Sequence, residues 1–243
     1  MDIYRVVFAL LILAYACYSD IRKRSVSNIV WLVTTGVSIA FAGYDAVVQG
    51  MSFLIPLVFP VIIIGAVSYI FFRLGLFGAA DAKALICIAL LFPAQPRFTI
   101  LSHHFPLFDV SVPVIFPFTL IVLLNAAVLA SAVPIFLFFR NLHSSGLKEF
   151  LGNAAMCFVA YRVNIDGLRN IRFARLAHTY KEIDGNLTRR HSLGGTPLNS
   201  NTVQRLKAYH REEKITGEVW VTPELPFILS IALGFLACCL LGV

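Results

Sequence analysis

The sequence predicts an all-α polytopic membrane protein with six transmembrane helices and a small cytoplasmic mixed α/β insertion between the fifth and the sixth. The first observation is the composition, because 58% of the residues are hydrophobic and only 14% are charged, too apolar a balance for a soluble domain. The second is a set of six apolar runs near the length of about 20 residues that crosses a membrane. The third is one polar, basic stretch that separates the last two runs.

Most of the apolar runs are long enough to span, but two of them need comment. The fourth is short and contains Pro93 and Pro96, so its helix either ends early or continues with a kink to Leu101. The first could be a secretory signal peptide that ends near Ala14-Tyr15-Ala16, but the basic cluster that follows it favours a retained helix. The predicted spans are Ile3 to Ser19, Ile29 to Val48, Phe53 to Phe72, Ala82 to Gln95, Val112 to Phe139 and Leu225 to Val243.

The positions of the 20 Lys and Arg residues predict which side of the cell membrane each loop faces. With the amino terminus outside, 18 of the 20 lie on the cytoplasmic side, and Arg5 and Arg97 are the exceptions. The net charge of +7 is therefore explained by topology. Two acidic residues, Asp20 and Asp81, fall on the cytoplasmic face in this arrangement.

The basic stretch divides the chain into residues 1–140 with five helices, an insertion at 141–223, and a last helix at 224–243. The insertion holds 12 of the 20 basic residues. Within it, Leu147–Val159 has the mixed apolar spacing of a surface or interfacial helix, and Glu218–Thr222 alternates like a short strand. The basic surface could contact anionic lipid headgroups, or it could be an ordinary solvated surface.

Asp81 lies between two long apolar runs that contain almost no other charge. Because an ionised carboxylate in hydrocarbon costs about 2.5 kcal/mol or more, such a residue is a functional candidate. Asp20 follows the first run on the same predicted face. Two neighbouring carboxyl groups share a proton, so one can act as a general base on water while the other donates a proton, as in aspartic proteases.

Small and basic residues surround the two aspartates. Gly78 and Ala80 permit close approach of a substrate backbone or of another helix. Arg22 and Lys83 could orient the carboxylates, but we favour a simpler role in which they anchor helix ends at the membrane surface.

Two short motifs resemble those of a known family. Asp20-x-Arg22-x-x-x-Val26-x-Asn28 resembles the first motif of type IV prepilin peptidases, and Gly78-x-x-Asp81-x-Lys83 resembles their second, the GxGD-x-K element. The late insertion, followed by the stretch 220–227 and a last helix, is most similar to the archaeal preflagellin peptidases. The resemblance implies a membrane aspartic endopeptidase. Its catalytic residues would be Asp20 and Asp81, supported by Gly78, Ala80, Lys83, Arg22 and Asn28.

The resemblance also implies a substrate and a place of action. The enzyme would remove the short leader of a preflagellin or pilin-like precursor at the cytoplasmic membrane face, by aspartate-activated water and without a cofactor or metal. Precursor proteins and membrane lipids would be its partners. The chain has no cysteine-rich zinc segment of the kind linked to methyl transfer, so cleavage without N-methylation is expected. Ala80 replaces the family's second glycine, and a strained backbone there would argue against activity.

Other polar groups fit simpler roles. His103, His104 and Asp109 could bind a metal, but a solvated loop is the better interpretation because adjacent histidines rarely converge on one ion. Asn125 is predicted to join two helices. One basic cluster could contact nucleic acid, but it has few interleaved aromatic residues, so we predict no nucleic-acid partner. This cluster contains Arg189, Arg190, His191, Arg205, Lys207 and His210.

Two functions of other classes compete with the peptidase. A transport component would use intramembrane carboxylates to bind protons or cations, but it would place them nearer the midplane. A scaffold for pilus or archaellum assembly would use the insertion as a docking surface and would not need the aspartates.

Overall fold

The computed structural model describes residues 1–108, 116–171, 173–183 and 186–242. The chain divides into two compact units. We call Met1–Ala130 with Pro226–Val243 the helical unit, and Ser131–Leu225 the sheet unit.

The helical unit is built from apolar helices whose outer faces expose large apolar side chains. Leu32 and Val47, for example, are 74% and 86% exposed, as lipid contact requires. Among the described residues, four helical stretches are long and apolar enough to cross a membrane: Asp2–Lys23, Asn28–Gln49, Leu54–Arg73 and Phe118–Ser144. The chain is therefore a membrane protein. Its helical unit contains α1 (Asp2–Lys23), α2 (Asn28–Gln49), α3 (Leu54–Arg73), α4 (Ala79–Leu91), α5 (Phe118–Ala130) and α9 (Phe227–Leu241).

Helix α4 ends at Leu91, before the predicted end of the fourth span. Phe92 has a non-helical backbone (φ −126°, ψ 81°) because Pro93 disfavours the helical conformation of the residue before it. The early end is therefore the correct alternative, and the chain continues into a hairpin of β1 (Phe98–Ile100) and β2 (His103–Phe105). At 13 and 15 residues, α4 and α9 are shorter than a full span. The start predicted for the fifth span, Val112, lies outside the described residues.

Helices α5 and α9 approach closely because α9 carries a glycine at the contact. A Cβ atom on Gly234 would lie 2.7 Å from the Val122 carbonyl oxygen and 2.9 Å from the Ala126 nitrogen. Asn125 donates a hydrogen bond through Nδ2 to Cys238 Sγ at 3.1 Å, which confirms the prediction that it joins two helices. Helix α9 also contacts α1 and α4, so it packs near the centre of the helical unit.

A buried ion pair joins α1 to α2. The Arg5 Nη2 atom lies 2.5 Å from Asp45 Oδ2, and the two residues are 6% and 8% exposed. The Arg5 guanidinium also lies over the Phe41 ring, 4.9 Å from its centroid. Each charge therefore has its partner inside the apolar bundle.

The sheet unit contains a four-stranded antiparallel sheet in the order β3-β6-β4-β5. Val219 and Val221 of the central strand β6 are buried, which confirms the predicted strand there. The helix predicted over Leu147–Val159 is divided, because α6 continues to Gly152 and α7 begins at Ala154. The elements are α6 (Ala132–Gly152), α7 (Ala154–Val159), β3 (Tyr161–Asn164), β4 (Ala174–Ile183), β5 (Asn186–Pro197), α8 (Ser200–Arg211) and β6 (Glu218–Pro223). The mixed α/β prediction for this region is thereby confirmed.

Candidate active site

Asp81 is held by the start of helix α4. The chain leaves α3 through Gly75, whose φ of +72° suits glycine, and α4 begins after Gly78. Asp81 lies in the first turn of the helix and accepts a hydrogen bond through Oδ2 from the Gly78 backbone N–H at 2.8 Å. A Cβ atom on Gly78 would lie 3.1 Å from the same oxygen, so glycine leaves room for this bond. The backbone therefore fixes the orientation of the carboxylate.

Ala80 occupies the position where the resemblance expects a second glycine. It lies in the first turn of α4. Among the described residues, those with a left-handed backbone do not include Ala80. Its side chain is partly buried against the core of the helical unit. The backbone at this position therefore does not require glycine, and the strain that would have argued against activity is absent at Ala80.

Asp20 lies in the last turn of α1 and is only 9% exposed. Arg24 follows it as the helix cap, in a left-handed conformation (φ 51°), and donates its backbone N–H to the Asp20 carbonyl oxygen at 2.9 Å. The Arg24 Nη1 atom lies 4.0 Å from Asp20 Oδ2. Arg22 lies instead over the Tyr18 ring, 5.1 Å from its centroid.

Arg24 is therefore a site residue that the sequence analysis missed. The signal was available, because a basic residue four positions after an acidic one lies on the same side of a helix. The motif spacing points to Arg22 instead.

The two aspartates interact electrostatically although 61 positions separate them in the sequence. Asp81 precedes the fourth apolar run and lies outside the four membrane-length stretches. Burial raises the pKa of its carboxyl to about 6, the Gly78 hydrogen bond lowers it, and the negative charge of Asp20 raises it further. The two residues are 9% and 8% exposed, so neither charge is well hydrated. Such a pair favours a state in which one carboxyl keeps its proton.

A hydrogen bond joins the two sequence motifs directly. Lys83 Nζ donates to Asn28 Oδ1 at 2.7 Å, between α4 and the first residue of α2. Ser27 precedes Asn28 as the cap of α2, and its hydroxyl accepts from the Ile29 N–H at 3.4 Å. Lys83 therefore holds the start of α4 against the start of α2, rather than only anchoring a helix end.

The other polar candidates show no catalytic grouping in the described residues. His104 lies 3.0 Å from Thr99 Oγ1 across the β1–β2 hairpin, and Asp109 is outside the described residues. No group of three His, Cys, Asp or Glu side chains there is arranged to hold a metal ion. In the basic cluster of the sheet unit, Lys207 pairs with Asp166 at 3.0 Å.

Comparison with known proteins gives the family. Residues 7–135, which include both motifs, match the model of the type IV leader peptidase family. Residues 152–243 match the model described as archaeal peptidase A24 C-terminus type II. A preflagellin peptidase of Methanococcus voltae is 28% identical over 236 residues, covering 96% of this chain and 93% of that protein. One from Methanocaldococcus jannaschii is 24% identical, covering 95% and 90%. One from Methanococcus maripaludis is 22% identical, covering 95% and 91%. The chain therefore belongs to the type IV leader peptidase family and is a membrane peptidase.

Proposed function

We propose that the protein is an aspartic endopeptidase that removes the leader peptide of a preflagellin or a pilin-like precursor. The single observation that carries the proposal is the interaction of two buried carboxyl groups, one from each motif, in a chain of the leader peptidase family. The substrate class follows from the names of the near full-length relatives, which are preflagellin peptidases.

In the reaction, the ionised aspartate removes a proton from a water molecule as the water oxygen attacks the carbonyl carbon of the scissile peptide. The protonated aspartate donates a hydrogen bond to the carbonyl oxygen and stabilises the charge that develops there. A proton then passes to the leaving nitrogen, and the C–N bond breaks. Asp81 is the better candidate for the protonated member, because its pKa is raised to about 6.

The site belongs at the cytoplasmic face of the cell membrane. In the topology that we propose, six helices cross the membrane and the amino terminus lies outside. The shorter helices α4 and α9 are two of these six. The insertion of residues 141–223 is then cytoplasmic, as its 12 Lys and Arg favour. A precursor with a basic leader and an apolar helix would present its scissile bond at this same level.

The test is leader removal from a co-expressed preflagellin in membranes, compared between wild type, Asp20→Asn and Asp81→Asn. Asp166→Asn is a matched control, because Asp166 is an exposed aspartate of the sheet unit. We expect cleavage to be lost in each of the first two variants, retained in the control, and unaffected by a chelator. Cleavage by both site variants would refute the proposal and return attention to the transport and scaffold functions.

A further inference from the structure

The short helix α7 is fixed to α6 by a buried asparagine. Asn141 of α6 is 3% exposed and donates from Nδ2 to the carbonyl oxygens of Cys157 at 2.9 Å and Ala160 at 2.7 Å. The Cys157 carbonyl belongs to the last turn of α7, where carbonyls have no partner within the helix, and Ala160 follows the helix directly. The two bonds therefore hold the end of α7 in a defined place. The Phe138 and Phe158 rings pack beside them with centroids 4.7 Å apart.

The depth of α6 in the membrane gives the depth of α7. The first part of α6 belongs to the helical stretch Phe118–Ser144, which can cross a membrane. About 20 helical residues span the hydrocarbon core, so a core centred on this stretch ends close to Arg140. Phe138 then lies inside the hydrocarbon boundary. Because Phe158 contacts Phe138, it lies at the same depth.

The residues around this boundary have the character of a lipid contact. Phe158 and Val159 are 43% and 48% exposed, although α7 is otherwise packed against α6. The Arg140 guanidinium lies 4.2 Å from the centroid of the Tyr161 ring, which follows α7 after Ala160. At a membrane interface, apolar side chains usually lie on the hydrocarbon side, and cationic and tyrosine side chains lie nearer the headgroups. Phe158 and Val159, with Arg140 and Tyr161, fit this arrangement.

We propose that α7 is an interfacial membrane anchor of the sheet unit, in which Phe158 and Val159 enter the lipid acyl region beneath the headgroups. The occupant of this surface is the lipid of the bilayer that already surrounds α6. The anchor holds the start of β3 at the membrane surface, because only Ala160 separates α7 from Tyr161. The inference does not depend on the peptidase mechanism.

Site-directed spin labelling tests the anchor. Phe158→Cys, Val159→Cys and Gln204→Cys are each labelled with a nitroxide in the full chain and reconstituted in liposomes of phosphatidylcholine and phosphatidylglycerol. The five native cysteines are buried, and the unsubstituted protein measures their background labelling. Gln204 is the control because it is an exposed residue of α8 in the same unit. The readout is relaxation by oxygen, which concentrates in lipid, compared with relaxation by a water-soluble nickel chelate.

We expect labels at 158 and 159 to show an oxygen-to-nickel accessibility ratio several-fold above that at 204. A ratio equal to that at 204 for both positions would overturn the inference. If Phe158→Cys fails to fold, Val159→Cys decides alone, since its side chain is half-exposed. The measurement needs no substrate, so its failure is distinct from a failure of the proposed peptidase activity.

Discussion

Lys83 Nζ lies 2.7 Å from Asn28 Oδ1, so a hydrogen bond joins the motif of Asp81 to the motif of Asp20. Lys83 is two residues after Asp81, and Asn28 begins α2, the helix that follows the Asp20-bearing end of α1. The bond therefore fixes the segments that carry the two carboxylates relative to each other. It gives a geometric reason for an asparagine and a lysine at these motif positions.

A double-mutant cycle measures this link. We expect Lys83→Met and Asn28→Leu each to slow leader cleavage about fivefold, since an exposed hydrogen bond of this kind contributes about 1 kcal/mol. The double variant should be no slower than the slower single variant, because both changes remove one interaction. Initial rates in proteoliposomes provide the measurement. Losses that multiply would show that the two residues act independently.

The pH dependence of cleavage follows from Asp81. Its pKa is raised from 3.8 to about 6, so the carboxyl keeps its proton up to about pH 6 and loses it above. If this proton is needed for catalysis, kcat/KM should fall about tenfold per pH unit on the alkaline side of that value. Initial rates of leader cleavage between about pH 4.5 and 8.5 test this expectation. A rate that stays constant from pH 5 to 8 would contradict it.

Arg24 should position Asp20, whereas Arg22 should not. The Arg24 Nη1 atom lies 4.0 Å from Asp20 Oδ2, so the two side chains form an ion pair. We expect Arg24→Gln to lower kcat/KM for leader cleavage about fivefold, since an ion pair of this kind contributes up to about 1 kcal/mol. Arg22→Gln is the matched control, since Arg22 stacks on Tyr18. Equal rates for the two variants would exclude the positioning role of Arg24.

The Arg5–Asp45 pair should stabilise the bundle only as a pair. Asp45→Asn leaves a buried guanidinium without its counter-ion and should lower the free energy of unfolding by about 3 to 5 kcal/mol. The charge-swapped chain with Arg5→Asp and Asp45→Arg should recover much of this loss. Unfolding by dodecyl sulfate in mixed micelles measures both changes. A swapped chain no more stable than Asp45→Asn would show that the pairing is not what stabilises the contact.

The sequence predicted the features that depend on composition and local spacing. Apolar runs predicted the membrane helices, alternation predicted strand β6, and the two motifs predicted which aspartates to examine. Within the helical unit, the structure adds that Asp20 and Asp81 interact and that Ala80 needs no special backbone conformation. The catalytic role of the two aspartates stays a prediction.

The remaining features depend on contacts between distant residues. In the sequence, Arg5 appeared only as an exception to the rule that basic residues lie on the cytoplasmic side. Its partner Asp45 is 40 positions away, and sequence spacing does not show that the two side chains meet. The sequence did not decide where α4 ends, since a proline can either kink a helix or end it. Asn28 and Lys83 were separate motif members until the structure placed them in contact.

The central position of α9 has a consequence for how the enzyme is made. Helix α9 contacts α1 and α4, which carry Asp20 and Asp81, and its Ile228, Ile231 and Phe235 are fully buried. In the sequence it follows the whole of the sheet unit, so the helices that carry both acidic residues are synthesised well before α9, which packs against them. We expect α1 and α4 to be loosely held in the nascent chain until α9 joins them.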